Sequence, residues 1–400
     1  MPTLINISGE DRLGLTAEIT ALLSEFDADI LDVGQAVIHD HLSLGLLVSL
    51  PDTAVDLEER LRQLGVGIRF SAVDVSSYEN WVGLQGSGRH ILTLLARRIS
   101  ASHLAAVSDV ISGSGLNIDN ITRLSGRVPL LKRDDSEYPN TKACVEFSLR
   151  GKPEESFRVA LLNLCSRLDI DIAVQEDSVF RRHRRLVAFD MDSTLIDTEV
   201  IDELAHAMDA GPAVSLITER AMRGGLDFSD SLKERVSLLK GMRQEQMHVI
   251  AQSLPLMEGA QVLISTLKRL GYKTAILSGG FSYFGQVLKD KLGIDYVFAN
   301  ELDIVDGQLT GRVIEPIVDA ERKAELLQFL ANKENISLQQ VVAVGDGAND
   351  LAMLQAAGLG IAFHAKPFLK ENARQSISTL GLDSILYLMG IRDRDALLFE

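Results

Sequence analysis

Short apolar segments alternate with longer amphipathic segments throughout the second half of this 400-residue chain. The apolar segments have the length of strands and cover residues 186–189, 274–277, 296–299 and 341–344. Strands that alternate with helices in this way predict a parallel, doubly wound α/β sheet. Ligands bind such sheets beyond the carboxyl ends of the strands, so the residues that directly follow each apolar segment are the candidates for function.

Paired acids follow the first and the fourth of these segments. Residues 190–195 read DMDSTL, and residues 345–350 read GDGAND. Two carboxylates two positions apart allow Asp190 to act as a nucleophile while like-charge repulsion keeps Asp192 protonated as a proton donor. Because both acid pairs would meet at one edge of the sheet, with oxygen ligands only, the expected metal is Mg²⁺ and not zinc.

Two further segments carry groups that suit a phosphate. Ser278, Gly279 and Gly280 follow the second apolar segment and offer a hydroxyl group and permissive backbone amides. Lys323 opens a helical segment, and its ammonium group can balance the charge of both the phosphate and the nucleophile. These residues predict a phosphate subsite beside the acids.

The first half of the chain contains an internal repeat at an offset of 88 residues. Ile19 matches Val107, for example, and both copies keep the helical spacing of apolar residues around these positions. Each copy reads strand, helix, strand, strand, helix, strand, which is the ferredoxin-like α+β plan. The predicted domains are two such copies at residues 1–80 and 88–178, followed by the α/β domain at 184–400 with a helical cap at about 201–257.

Two polar segments interrupt this organisation. Residues 127–140 are predicted to form an exposed hairpin or loop in the second copy. The basic run at 181–185 is interpreted as a solvated linker and not as a nucleic-acid site, because the formal net charge of −16 opposes binding to nucleic acid and to anionic membranes.

The two cysteines and the apolar runs bear on the compartment. Cys144 and Cys165 lie in apolar contexts without metal-site spacing, so both are predicted to pack in cores. The N-terminus lacks the pattern of a leader, and no apolar run approaches the roughly 18 residues of a membrane span. We therefore expect a cytoplasmic protein without membrane or nucleic-acid partners.

Four motifs occur in a characteristic order: DxDxT at 190–194, Ser278, Lys323 and GDGxxD at 345–350. In this order and at strand ends, they resemble the haloacid dehalogenase superfamily over residues 186 to about 400. The phosphatases of that superfamily carry an acid at the position of Asp192, whereas the dehalogenases do not. The resemblance therefore favours phosphoryl transfer.

The resemblance also implies roles for individual residues. It implies that Asp190 is the nucleophile and Asp192 the general acid and base. It implies that Mg²⁺ is held by Asp190, the backbone carbonyl of Asp192 and Asp346, with Asp350 close behind or binding through water. It further implies that the phosphoryl group is bound by Ser278, Gly279, Gly280, Lys323 and Asn349.

The segment between the first two motifs is helical in pattern and resembles the small cap of phosphoserine phosphatases. In that family the positions of Glu199 and Arg235 face the amino and carboxylate groups of the substrate, and Met222 and Phe228 would line the pocket. An acid and a base beside a phosphate pocket also complement a zwitterion. The resemblance implies hydrolysis of O-phospho-L-serine to L-serine, the last step of serine biosynthesis, through an aspartyl phosphate.

The loop at residues 8–16 (SGEDRLGLT) resembles the ligand loop of ACT domains, a family of amino-acid sensors. The second copy resembles a diverged ACT domain that lacks both glycines of this loop. The resemblance implies a homodimer that binds serine or another amino acid as an effector. The candidate effector-binding residues are Gly9, Asp11, Gly14, Asp32 and Gln35. A pure packing or dimerisation role for both copies is the competing hypothesis.

Other functions remain open from the sequence alone. An enzyme of the same fold can pass the phosphoryl group to another hydroxyl compound instead of water. A serine-sensing regulatory protein with a weak phosphatase site is a second rival, and a protein phosphatase is a third. The four intact motifs argue against a vestigial site, and a cap argues against folded protein substrates.

Overall fold

A computed structural model of the protein describes residues 2–51, 56–84, 88–127 and 141–397. The chain divides into two compact units, residues 1–87 and 88–400. Most of the predicted loop at 127–140 lies outside the described residues. No helix in the described ranges has the length and apolar character needed to cross a bilayer.

The first unit has the predicted ferredoxin-like plan. Its strands are β1 (Pro2–Glu10), β2 (Asp29–Ile38), β3 (His41–Ser49) and β4 (Gly67–Ala72), and its helices are α1 (Leu15–Glu25), α2 (Leu57–Arg62) and α3 (Val75–Leu84). The antiparallel sheet has the order β2-β3-β1-β4. Alternate residues of β1 and β3 are buried against α1 and α2, as expected for a sheet with one covered face.

The second unit begins with a module that repeats this plan, which we call the second module. Its strands are β5 (Arg89–Ala96), β6 (Asn117–Arg123), β7 (Ala143–Arg150) and β8 (Asp171–Glu176), and its helices are α4 (Ala101–Gly113) and α5 (Glu155–Leu168). The sheet order β6-β7-β5-β8 corresponds strand for strand to the order in the first unit. The repeat predicted from the offset of 88 residues is therefore confirmed at the level of the fold.

The rest of the second unit is the predicted α/β domain. Its strands are β9 (Leu186–Phe189), β10 (Lys273–Phe281), β11 (Tyr296–Val305), β12 (Gln308–Ile314), β13 (Val341–Gly345), β14 (Leu359–Phe363) and β15 (Gln375–Ile377). The sheet order is β12-β11-β10-β9-β13-β14-β15, and only the β11–β12 hairpin is antiparallel. Strand β9 lies between β10 and β13, so the segments after these three strands share one edge of the sheet.

Helices cover both faces of this sheet and form the cap. The cap helices are α6 (Val200–Ala207), α7 (Gly211–Met222), α8 (Phe228–Ser237) and α9 (Gln244–Ser253). The remaining helices are α10 (Ala260–Arg269), α11 (Ser282–Leu292), α12 (Ala320–Lys333), α13 (Leu351–Ala356), α14 (Pro367–Asn372), α15 (Ile385–Leu388) and α16 (Asp393–Leu397). Strands β9, β13 and β14 are buried along their whole length, which explains why they read as continuous apolar runs.

The second module packs against the α/β domain with the face of its sheet that its own helices leave open. Leu95, Cys144 and Ala173 on that face belong to the same buried cluster as Tyr387 and Leu388. Cys144 is therefore a core residue as predicted, whereas Cys165 is only half-buried.

Edge strands β8 and β15 meet at this contact through side chains. The Asp171 carboxylate accepts hydrogen bonds from the backbone amides of Ser378 and Thr379, at 2.9 and 2.8 Å. Gln375 bonds to both the amide and the carbonyl of Val174. A cavity of about 440 Å³ opens beside this contact, between α5, β8 and the α14–β15 segment.

The interpretation of residues 181–185 as a solvated linker is only partly right: Arg182, His183 and Arg185 are exposed, whereas Arg181 and Arg184 are not. Arg181 is 2% exposed and pairs with Glu146 of β7, and Arg184 is 5% exposed and donates to the carbonyl of Gln339. These two arginines of the run thus point into the protein, where they join the second module to the α/β domain. A charge count along the chain cannot reveal this, because long side chains bury their stems wherever a partner accepts the charge.

Candidate active site

A buried lysine stands at the centre of the acid cluster. Lys323, in the first turn of α12, is fully buried, and its Nζ lies 2.7 Å from Asp190 Oδ2 and 2.7 Å from Asp350 Oδ1. Burial alone would lower the pKa of this amine, but the two carboxylates outweigh it and raise the pKa above its ordinary value. Lys323 therefore remains a cation that joins the acids at the ends of β9 and β13.

Asp190 is held in one orientation by its neighbours. Its backbone amide donates to the carbonyl of Val344 on β13, and its Oδ1 accepts from the amide of Met191 at 2.7 Å. Its Oδ2 accepts from Lys323 and, at 3.4 Å, from Asn349 Nδ2. The residue is 5% exposed, so its carboxylate enters the cavity already oriented.

Asp192 lies in surroundings that favour its protonated form. Burial, with Glu199 and Asp190 adding like charge, raises the pKa of its carboxyl group well above the usual range. Its Oδ1 accepts from the amide of Val200 at the start of α6. A Cβ at Gly280 would collide with Asp192 Oδ2, so glycine is required there for the close approach of the acid to β10.

Three carboxylates could hold a metal ion. Ligand atoms of Asp190, Asp346 and Asp350 all lie within 4.8 Å of one another. Burial, with the charge of Asp190 as the second cause, raises the pKa of Asp346 to about 6 and that of Asp350 to about 7. Carboxylate oxygens without His or Cys fit a hard divalent cation such as Mg²⁺.

The Ser-Gly-Gly segment lies within strand β10, at an irregularity in its pairing with β11. The sequence placed it beyond the strand end; the strand instead continues to Phe281. Ser278 Oγ accepts from the amide of Gly280 at 2.9 Å, which tightens the backbone beside the acids. Asn300, at the matching point of β11, donates to the carbonyl of Gly279 at 2.8 Å and fixes the segment from behind.

The cap contributes a cation, an acid and an aromatic ring. Arg235 lies in the last turn of α8, where burial lowers the pKa of its guanidinium group against the opposing effect of Glu199. Glu199 precedes α6 and accepts a hydrogen bond from Ser193 Oγ at 3.0 Å. Phe228 packs on Gly279, while the side chain of Met222 lies outside the described residues.

One cavity of about 180 Å³ brings most of the predicted residues together, whereas the fully buried Lys323 and Asp350 are not among those that line it. Its lining includes Asp190, Asp192, Glu199, Phe228, Arg235, Ser278, Gly279, Gly280, Asp346 and Asn349. The cavity beside α5 is larger but lies apart from this acid cluster, so volume alone does not identify the site. The convergence of charged side chains and oriented hydrogen-bond donors identifies the smaller cavity as the site.

Sequence reasoning missed two polar residues at this site, and also the apolar lining residues Ile201, Leu232 and Phe281. Lys366, before α14, lines the cavity with its Nζ 3.8 Å from Asp346 Oδ2 and 4.0 Å from Glu199 Oε1, and its amide donates to the Asp346 carbonyl. Asn300 does not line the cavity: it donates to the Gly279 carbonyl, and its Oδ1 accepts from the amide of Val318 at 2.7 Å. The Asn at the end of an apolar run offered a faint signal for Asn300, whereas nothing in the sequence around Lys366 placed it beside the acids.

The candidate effector residues fall in two places in the first unit. Asp11 and Gly14 line one surface depression, where Gly14 adopts φ +87° immediately before α1. Gln35 reaches the same end through Thr16, whose Oγ1 donates to Gln35 Oε1 at 3.0 Å.

Asp32 is not part of this group. It pairs in register with Leu47, whereas Gly9 pairs with Leu42 of the same strand. Five residues along a strand correspond to about 17 Å. The Asp32 carboxylate instead accepts a hydrogen bond from the amide of Val33.

Comparison with known proteins agrees with this geometry. Residues 184–358 match the family of haloacid dehalogenase-like hydrolases, and residues 2–71 match the ACT domain family. The fold and the acid cluster are thus those of a haloacid dehalogenase-like hydrolase with an N-terminal ACT domain. A solved haloacid dehalogenase family hydrolase from Salmonella enterica is 30% identical, with a TM-score of 0.63, and the match covers 75% of this chain and 98% of that one.

More similar relatives define the family further. The phosphoserine phosphatase of Streptomyces coelicolor is 40% identical over 394 residues, which cover 98% of this chain and 93% of the relative. Phosphoserine phosphatase SerB2 of Mycobacterium tuberculosis is 39% identical over 97% of this chain and 93% of its own. The chain belongs to the phosphoserine phosphatase family. The structure of a probable phosphoserine phosphatase from Vibrio cholerae, 32% identical, covers 78% of this chain and 89% of that one with a TM-score of 0.60.

The buried lysine provides the first testable prediction. Lys323→Met leaves Asp190 and Asp350 without their shared cation, and unfolding in urea with EDTA should show a loss of about 3–5 kcal/mol. Adding Asp350→Asn should restore part of this loss, because it removes one of the two uncompensated charges. Lys291→Met, on the exposed face of α11, is the control and should leave stability within about 0.5 kcal/mol. A Lys323→Met variant as stable as the control would contradict the central role of this ion pair.

Proposed function

We propose that this protein hydrolyses O-phospho-L-serine to L-serine and phosphate, the reaction that ends serine biosynthesis. The observation that carries the proposal is the pairing of Glu199 and Arg235 with Asp190 around one small cavity. The carboxylate of Glu199 complements the ammonium group of the substrate, and the guanidinium group of Arg235 complements its carboxylate. The names of the full-length relatives support the same substrate.

The proposed reaction has two steps. A carboxylate oxygen of Asp190 attacks phosphorus, the bond from phosphorus to the seryl oxygen breaks, and Asp192 gives its proton to that oxygen. Serine leaves, and an aspartyl phosphate remains. Asp192 then takes a proton from water as the water attacks phosphorus, which breaks the bond to Asp190 and releases phosphate. Ser278, the Gly279 amide, Lys323 and Asn349 stabilise the charge on the transferred oxygens.

We propose Mg²⁺ as the cofactor. Asp190, Asp346 and Asp350 would hold it, together with the backbone carbonyl of Asp192. When bound, such an ion orients a phosphate oxygen and offsets developing negative charge. Lys323 already neutralises part of the negative charge of this cluster. The repulsion between the cluster and an anionic substrate beside Asp190 is therefore lower.

The roles of the two acids can be separated by substitution. Asp190→Asn should abolish phosphate release while the protein stays folded, because the amide has the same shape but cannot attack phosphorus, and Lys323 keeps Asp350 as its partner. Asp192→Asn should lower kcat by roughly 10²–10⁴-fold, since proton donation and water activation are both lost. Phosphate release measured beside thermal unfolding tests both, with exposed Asp290→Asn as control. Substantial turnover by Asp190→Asn would refute its role as nucleophile.

Substrate choice depends on the cap. Arg235→Ala should raise KM for phosphoserine on the order of 10–100-fold, which corresponds to the loss of a charge-assisted hydrogen bond. KM for an aryl phosphate, which has no carboxylate to pair with, should change little. Arg220→Ala removes an exposed cap ion pair with Glu234 and is the matched control. Equal losses on both substrates would assign Arg235 a structural role and remove the argument for phosphoserine.

We also propose that the first unit binds serine, the product, as an inhibitor and that the protein forms a homodimer. Gly14 and Asp11 offer a backbone loop and a carboxylate for an amino acid. Edge strand β2 exposes Ile30, Val33 and Val37 on one face of the sheet, an apolar surface suited to a second copy of the chain. The thiols Cys144 and Cys165 are free, in keeping with a reducing, cytoplasmic location.

Calorimetry on the full-length chain tests the effector site. Serine should bind saturably, and Gly14→Val should abolish this binding, because a β-branched residue is strained at φ +87°. Gly83→Val, at an open position without a positive φ, controls for the substitution itself. Absence of heat with serine, glycine and other amino acids would leave only the packing role of this unit.

A further inference from the structure

The cap joins the α/β domain through two chain segments that run side by side. Ile196 forms an antiparallel bridge with Leu256. The amide of Met257 donates to the Leu195 carbonyl at 2.9 Å, and the amide of Asp197 donates to the Pro255 carbonyl at 3.0 Å. This cap base, residues 195–197 and 255–258, begins three residues after Asp192. Movement of the cap against the acids must therefore bend or shift the cap base.

Glu258 ends the cap base and is held from two sides. Its backbone carbonyl accepts from the amide of Leu382 at 2.7 Å, which anchors it to the α/β domain. Its carboxylate forms a two-pronged ion pair with Arg97 of the second module, with nitrogen–oxygen distances of 2.8 and 2.7 Å. This pair lowers the pKa of the Glu258 carboxyl group. This bidentate geometry fixes the relative orientation of the two side chains as well as the distance between them.

Neighbouring contacts strengthen this attachment. The carbonyl of Arg97 accepts from Thr141 Oγ1 at 3.2 Å, so the arginine is braced within its own module. Lys142 pairs with Asp383, and a Cβ at Gly259 would collide with that same Asp383. The second module thus forms one ion pair with the end of the cap base and a second with Asp383, which lies against Gly259. None of its described residues lines the active-site cavity.

The position of Arg97 within the internal repeat is informative. At the offset of 88 residues, Arg97 corresponds to Gly9 of the first unit, the start of the loop that resembles an amino-acid site. The second module has no glycine at either matching position of this loop. Where the first unit presents a loop open to solvent, the second presents an arginine to the cap base.

We propose that the second module controls closure of the cap through this contact, with Arg97 as a positioning residue for the reaction. The proposal rests on the proposed function, because the closed cap is what brings Arg235 to a phosphoserine carboxylate. Arg97 keeps the cap base in the conformation compatible with closure. Loss of the pair lowers the closed fraction, and apparent affinity falls in proportion to that fraction.

The expected size of the effect follows from exposure. The side chains of Arg97 and Glu258 are 36% and 41% exposed, and ion pairs at such positions contribute at most about 1 kcal/mol. A factor of about two to five in KM is therefore expected. Stability of the whole protein should change little.

Steady-state kinetics of the full chain test the proposal. Arg97→Ala should raise KM for phosphoserine about two- to fivefold, with kcat nearly unchanged and an aryl phosphate unaffected. Arg97→Glu should raise this KM further, because it places two carboxylates side by side. Arg97→Glu combined with Glu258→Arg should bring KM most of the way back, because the ion pair is restored with its charges exchanged. Arg62→Ala, which breaks a comparable exposed pair with Glu58 in the first unit, should have no effect.

Hydrogen exchange gives a readout that does not depend on the substrate. Backbone amides at 195–197 and 256–258 should exchange faster in Arg97→Ala and return to the native rate in the charge-swapped variant. Unchanged exchange and unchanged KM in Arg97→Ala, or a charge-swapped variant no better than Arg97→Glu alone, would overturn the proposal. Failure of the proposed function would appear separately, as an unmodified protein that does not hydrolyse phosphoserine.

Discussion

The arrangement of this active site depends on one buried cation between two buried carboxylates. An unpaired ammonium group at the position of Lys323 would be very costly, and so would Asp190 and Asp350 without it. The three groups are stable only together, which requires α12 to begin where β9 and β13 end. Asp319 caps that helix by accepting from the amide of Arg322, so the first turn delivers Lys323 to the acids. Sheet order, helix position and site geometry are thereby coupled.

The same cluster of charges gives the neighbouring acids Asp190 and Asp192 different protonation behaviour. Asp190 receives the lysine, whereas Asp192 lies away from it, between Glu199 and Asp190, and its pKa is raised. Two chemically equal side chains two residues apart therefore suit a nucleophile and a proton donor. The cap completes the site with Arg235 and Glu199, whose opposite charges would be poor partners for a simple phosphate but complement a phosphorylated zwitterion.

The two copies of the ferredoxin-like plan have diverged in what they contact. The first keeps its glycine loop and exposes apolar residues along edge strand β2. The second buries the free face of its sheet against the α/β domain. Arg181 and Arg184, which follow it in the chain, are buried where the two meet, and Arg97 forms an ion pair with Glu258 of the cap base. One sequence repeat thus supplies a module with an open glycine loop and a module that packs against the α/β domain.

The sequence by itself determined the strand-end acids, Ser278, Lys323 and the repeated βαββαβ plan, because strand alternation and helical spacing are local properties. It did not reveal the short strands β14 and β15, nor that β10 continues through the Ser-Gly-Gly segment. Tertiary structure alone decided that Lys366 and Asn300 join the site, that Asp32 lies apart from Gly9, that Arg181 and Arg184 are buried, and that Arg97 meets Glu258 across 161 residues. The physical reason is that a polar side chain is placed by its partner, and these partners are distant in the chain.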